Sequence, residues 1–242
     1  MKIRFYLVNI ILGVIIAIIV AVFLIIQFCK IENVSLTGTD LYTVEEMDGY
    51  VRNYKYSENS IYVVIHSLIK PVKDVPFIES VKVRFDGPAG IKIEAKEKEM
   101  LAVMAEENGL YVYFNTDGIV TDVSERFLEE KNLPGVTGVH CSDAVPGEMI
   151  PVEQNAANRL LTLTKNLAKY EIEANDYSFD QLSNLWMNHN GISVNFGTDE
   201  LIAEKVIRLD AILPQIEGQT GTLHLENWTE QNTDVVFERV TN

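Results

Sequence analysis

Cysteine is nearly absent: the 242 residues carry two, Cys29 and Cys141. A disulfide framework is thereby excluded, and stability has to come from a packed core. Cys141 follows His140, but neighbours on an extended chain point to opposite faces and cannot work as a nucleophile and its base. Histidine is scarce too. His66, His140, His189 and His224 stand apart, and with no H-E-x-x-H and no C-x-x-C the chain carries no metal-ligand pattern. There is no G-x-S-x-G and no phosphate-cradling P-loop either. Basic residues run short in one half. Lys30 to Glu99 holds 10 Lys and Arg against 12 Asp and Glu, whereas Met100 to Asn242 holds 8 against 23. That distal half repels phosphate backbones and anionic head groups, which excludes nucleic-acid binding there.

One feature is in excess. Phe5 to Phe28 form an apolar run without an ionisable side chain. As a helix it spans roughly 36 Å at about 1.5 Å per residue, enough for a hydrocarbon core of about 30 Å. A cleavable signal peptide has a shorter apolar stretch and small residues at its cut site, whereas this run ends Ile25-Ile26-Gln27-Phe28-Cys29. Lys2 and Arg4 precede the run with no acid nearby, so the amino terminus is expected in the cytoplasm and everything from Cys29 onward outside it.

Between Ile31 and Lys98 the periodicity predicts strand, helix, helix, strand, strand. Val34 and Leu36 alternate with polar neighbours before Gly38. Thr43-Val44-Glu45-Glu46 reads as a capping box, followed by Val44, Met47 and Val51 on one helical face. A second helix starts near Ser60, with Ile61, Val64, Ile65 and Leu68 expected inward, and Pro71 stops it. Val81, Val83 and Phe85, then Ile91, Ile93 and Ala95, alternate on either side of the Asp86 to Gly90 turn.

In the distal half, Leu110 to Phe114 and Ile119-Val120 flank a tight turn at Asp117-Gly118, and Leu133-Pro134-Gly135-Val136-Thr137-Gly138 follows. A helix carrying Leu160, Thr164 and Leu167 inward comes next. Asn190-Gly191 joins two strands as a hairpin. Thr198 is expected to cap a helix with Asp199 and Glu200 in its first turn, Ile202, Val206, Leu209 and Leu213 inward, and Pro214 closing it. Leu223 and Leu225 belong to a further strand, and Asp234 to Val240 to a last one.

The chemistry most worth testing for is Ser67-Leu68-Ile69-Lys70, an S-x-x-K that places a hydroxyl and an amine one helical turn apart. The partner motifs of such a serine enzyme are missing: Ser57-Glu58-Asn59 lies too close, and no Lys-Thr-Gly or Lys-Ser-Gly occurs. The reading is therefore a polar helix face and no catalytic residues.

The order of elements after a single apolar run resembles a polypeptide-transport-associated (POTRA) domain. The wording of the chain resembles the FtsQ/DivIB family of bacterial cell-division proteins, through Val34-Ser35-Leu36-Thr37-Gly38, Pro76 to Val83, Ile91 to Lys98, the Leu133 to Gly138 stretch, and the glycine and lysine of Gly197 to Lys205. It departs at Glu97-Lys98-Glu99-Met100, where the family often has a proline joint. The resemblance implies an α+β fold in three parts: tail and transmembrane helix over 1–28, a POTRA domain over 29–98, and a mixed β-rich domain with flanking helices over 99–242. It implies a non-enzymatic scaffold of the division septum, without cofactor or metal, that recruits FtsB/DivIC-like and FtsL-like bitopic partners. The family's partner adds a strand to the last strand, here Thr233, Asp234, Val235, Val236, Phe237, Glu238 and Arg239, with Val235 and Phe237 on one face and Val236 and Glu238 on the other. Selecting contacts are expected at Phe237, Arg239, Glu226 and Trp228, and an acidic edge calls for a basic partner segment. Val236→Pro is expected to remove one ladder donor and fix the backbone angle. An alternative is a membrane-anchored transport or assembly factor whose POTRA edge, within 31–98, captures extended segments.

Overall fold

A computed structural model describes residues 2–198, 201–229 and 231–240; in the first helix, side chains are described at 6, 10–24, 27 and 28. The chain divides into two compact units, Met1–Lys98 and Glu99–Asn242.

The first unit opens with helix α1, Lys2–Phe28. Counting only described residues, no helix is long and apolar enough to cross a membrane. Within α1 those side chains run unbroken from Ile10 to Leu24, and the large apolar ones lie open on all sides of the helix, between 45 % exposed at Leu24 and 66 % at Ile10. Strand β1 (Asn33–Thr37), helices α2 (Val44–Val51) and α3 (Ser60–Ile69), and strands β2 (Ile78–Phe85) and β3 (Gly90–Glu97) follow. The sheet order is β1-β3-β2, with β1 parallel and β2 antiparallel to β3. Thr43 and Glu46 form the reciprocal cap of α2: the Thr43 hydroxyl accepts from the Glu46 amide at 3.2 Å, and the Glu46 carboxylate accepts from the Thr43 amide at 2.8 Å. Met47, Val51, Val63, Ile91 and Ile93 make the core.

Helix α3 departs from the expected orientation. Val63 and Ser60 are its buried residues, whereas Ile65 is 51 % and Leu68 75 % exposed. The helix carries apolar residues on two faces, so periodicity alone does not say which one turns inward. The small Ser60 decides it, because its hydroxyl donates to Pro88 O at 2.7 Å and lets that face approach the β2–β3 turn. Phe85 departs as well: at the end of β2 it is 49 % exposed, while Val83 is buried.

The second unit contains β4 (Ala102–Ala105), β5 (Tyr111–Phe114), β6 (Val120–Ser124), β7 (Gly135–Thr137), α4 (Gln154–Lys169), β8 (Asp176–Phe179), β9 (Leu185–His189), β10 (Ile192–Gly197), α5 (Ile202–Ile216), β11 (Gly221–His224) and β12 (Val236–Arg239). The strands form one sheet in the order β12-β11-β10-β9-β8-β7-β4-β5-β6. Pairing is parallel at β10–β11, β7–β8 and β4–β7, and antiparallel elsewhere. Helices α4 and α5 pack against each other. Leu160, Thr164 and Leu167 are buried as expected. Asn190 and Gly191 both adopt positive φ, 50° and 86°, as the two-residue hairpin between β9 and β10 requires.

Two expectations about α5 fail. Leu201, not Thr198, occupies the N-cap position and makes no side-chain cap; Asp199 and Glu200 lie outside the described residues. Pro214 also does not end the helix, which continues to Ile216. A proline in the last turn loses one amide donor, and the helix ends two residues later.

Candidate partner-binding edge

The outer end of the sheet is built from β10 outward. Val194 and Phe196 on β10, and Leu223 on β11, are fully buried and anchor these strands over the helices. Lys205 on α5 is also fully buried, and its ammonium donates to Phe196 O at 2.8 Å and to Glu226 O at 3.5 Å. One cation thus ties the end of β10 to the segment leaving β11, satisfying main-chain carbonyls that would otherwise be stranded. Trp228 follows, 6 % exposed, with the Arg208 guanidinium 5.8 Å from its ring centroid. Its indole Nε1 and Glu226 Oε2 are buried without a hydrogen-bond partner among the described residues.

A family model described as "Cell division protein FtsQ/DivIB, C-terminal" matches residues 102–231. This chain belongs to the FtsQ/DivIB family. Comparison with individual curated proteins finds no match. The matched stretch covers β4 through β11 and the turn after it, and stops just before β12.

In this FtsQ/DivIB protein β12 is the last strand of the sheet, and among the described residues no strand lies outside it. It runs from Val236 to Arg239; Thr233, Asp234 and Val235 lead into it as irregular chain. Its pairing with β11 sets which amides point where. Val240 N–H donates to Thr220 O at 3.1 Å, and the Cα partners are Gly221–Arg239, Thr222–Glu238, Leu223–Phe237 and His224–Val236. Antiparallel pairs alternate between bonded and non-bonded, so Glu238 and Val236 exchange hydrogen bonds with β11. The amides and carbonyls of Phe237 and Arg239 point the other way, to the open edge. The ladder donor that a proline at Val236 removes is therefore the one to β11, and the open edge keeps its donors at Phe237 and Arg239.

Side chains alternate as predicted. Val235 and Phe237 pack against the core, while Val236 and Glu238 are exposed. The Phe237 ring lies over Gly221: a Cβ there would stand 2.9 Å from Phe237 Cζ and 2.3 Å from Glu238 O. Glycine is thus what lets β12 close on β11. On the opposite face the His224 ring lies 2.9 Å from Glu226 and 3.6 Å from Glu238, an acidic surround beside the open edge. Of the expected selecting contacts, Glu226 lies beside His224 on this face, Phe237 packs on the other face over Gly221, and Arg239 is an exposed residue of β12. Trp228 is enclosed, with its ring beside the Arg208 guanidinium.

The S-x-x-K pair has no comparable organisation. Ser67 Oγ donates to Val64 O at 2.8 Å within its own helix, and Lys70 is the C-cap residue of α3. Among the described residues, no group of three or more His, Cys, Asp and Glu could hold a metal.

Proposed function

We propose that this cell-division protein is a non-enzymatic scaffold, anchored by α1 with its amino terminus in the cytoplasm, that captures an extended segment of an FtsB/DivIC-like partner on β12 and through it an FtsL-like protein at the septum. The apolar run over Phe5 to Phe28 and the basic residues before it support the anchor. The strand, helix, helix, strand, strand order of the first unit supports a POTRA domain there. The observation that carries the function is the orientation of β12: outward amides and carbonyls at Phe237 and Arg239 form a template that an added strand can complete.

Main-chain pairing supplies affinity, and the flanking side chains select. Glu226 and Glu238 favour a segment with a basic residue in register, and Arg239 offers a donor fork to an acid one position along. Strand addition also accounts for a chain so poor in chemical motifs, since every residue type carries the groups it uses.

Two prolines test this. Arg239→Pro removes an outward amide from an exposed edge position that tolerates proline, so the fold is retained and capture of the FtsB/DivIC-like partner in pulldown is lost. Val236→Pro removes an inward amide and unpairs β12 from β11. Undiminished capture by folded Arg239→Pro protein would refute strand addition at this edge.

A further inference from the structure

The face of α3 that the core does not use is a coherent apolar surface. Ile61, Tyr62, Ile65, Leu68 and Ile69 fall within one third of the helix circumference at about 100° per residue. Tyr62 is 42 % exposed, Ile65 51 %, Leu68 75 % and Ile69 73 %, and Tyr56 in the preceding loop is 66 % exposed. Single exposed apolar residues are ordinary, but a continuous stripe of five on a helix already packed by its other side marks an interaction surface.

Its position is fixed by the backbone at the end of α1. Ser60 N–H donates to Cys29 O at 2.8 Å, Ile31 N–H donates to Glu58 O at 2.8 Å, and Lys30 bridges Asn59. The first turn of α3 is therefore joined to the residues that leave α1. Between them lies an open groove of about 920 Å³ lined by Val22 and Gln27 of α1, Tyr54 and Tyr56 of the loop, and Ile61 and Ile65 of α3. Val22 precedes Cys29 by seven residues, roughly 10 Å along a helix, so the groove reaches well down the flank of α1.

We infer that this stripe and groove are a lipid-docking surface, which lays the first unit against the outer leaflet of the membrane holding α1. The inference rests on the anchor proposed above. A leaflet is the occupant because the groove is continuous with the flank of α1, which lipid surrounds in that reading. The chemistry also fits an interface: tyrosines amid aliphatic side chains, with Lys30 and Lys55 lining the groove, Lys70 at the C-cap of α3, and Glu58 as the acid between. Phospholipid tails would cover Ile61, Ile65, Leu68 and Ile69, and anionic head groups would meet the lysines.

The test uses the full chain in nanodiscs of anionic and zwitterionic phospholipid, with Cys29 and Cys141 replaced by alanine and one environment-sensitive fluorophore at a new cysteine. Leu68→Cys is the probe of docking. Ile15→Cys reports the anchor, and Lys82→Cys reports the opposite face of β2. Docking predicts a blue-shifted emission at position 68, quenched about twofold by nitroxides near the head groups and less by deep ones, as a depth of about 5–10 Å requires. Position 15 should be quenched by deep nitroxides and position 82 by none. Adding Tyr62→Ser and Ile65→Ser should abolish the quenching at 68 while circular dichroism stays unchanged, because both residues lie outside the core. Quenching at 15 without any at 68 overturns the docking and leaves the anchor standing, and the stripe then belongs to a protein partner. Absence of quenching at both positions overturns the anchor itself.

Discussion

Gly221→Ala puts the architecture of the partner edge under direct strain. The added methyl would meet Glu238 O at 2.3 Å, Phe237 Cζ at 2.9 Å and Arg239 Cα at 3.1 Å. Two of these contacts are backbone, so rotamer changes cannot relieve them, and β12 itself must move. Overpacking of this kind costs about 1–3 kcal/mol. Against that stands what holds β12 in place. Roughly five hydrogen bonds to β11 contribute about 1 kcal/mol each, and the half-buried Phe237 adds about 1 kcal/mol. Ordering the four residues of the strand costs about 1–2 kcal/mol apiece. The strand is thus near balance, and the strain tips it away from the sheet while the core over α4 and α5 remains. Hydrogen exchange reads this out: the peptide covering 233–240 should lose its protection in Gly221→Ala, with β9 and β10 unchanged, and partner capture should fall in parallel. Wild-type protection of that peptide in the variant would refute the reasoning, since the close approach of β12 to Gly221 would then not govern the edge.

Other outcomes follow from the cores and the titratable groups. Met47→Ala, at a fully buried position, should cost about 2–5 kcal/mol in chemical denaturation, whereas Leu68→Ala, 75 % exposed and outside the core, should stay within about 0.5 kcal/mol in the absence of lipid. Partial burial works against the charge of Asp180, but hydrogen bonds from the Asn184 side chain, Trp186 Nε1 and the amides of Asn184 and Leu182 outweigh it and hold its carboxyl at about 2. A depressed native value gives stability present above the unfolded value and lost as pH falls from about 4 toward the folded one. Asp180→Asn should flatten that part of the unfolding profile, and an unchanged profile would argue against it. Burial, with Glu106 nearby, pushes the Cys141 thiol up to about 11. In a Cys29→Ala background, alkylation at pH 8 should therefore be roughly 100-fold slower folded than unfolded; equal rates would contradict the buried placement.

Local chemistry made much of this protein readable along the chain. The Thr43–Glu46 cap, the Asn190-Gly191 hairpin and the alternation of Ile91, Ile93 and Ala95 depend on residues a few positions apart, and each forms as the pattern predicts. The same holds for the facing of Val235 and Phe237 against Val236 and Glu238, because strand parity is a local property. The S-x-x-K spacing was legible too, and in the fold the Ser67 hydroxyl donates to Val64 O within its own helix.

What depends on distant partners was out of reach. Which apolar face of α3 turns inward rests on Ser60 meeting Pro88 across the unit, and Pro214 is carried inside the last turn of α5, which runs on to Ile216. Most consequential is the direction of the β12 amides. Residue order sets which side chains share a face, but a main-chain donor points inward or outward according to its register with β11, and that register is held by Gly221, Phe237 and the Val240–Thr220 bond acting together. Sidedness of side chains is written in the sequence because it follows from the pleat of a single strand; sidedness of hydrogen bonds belongs to a pair of strands and exists only once the two have met.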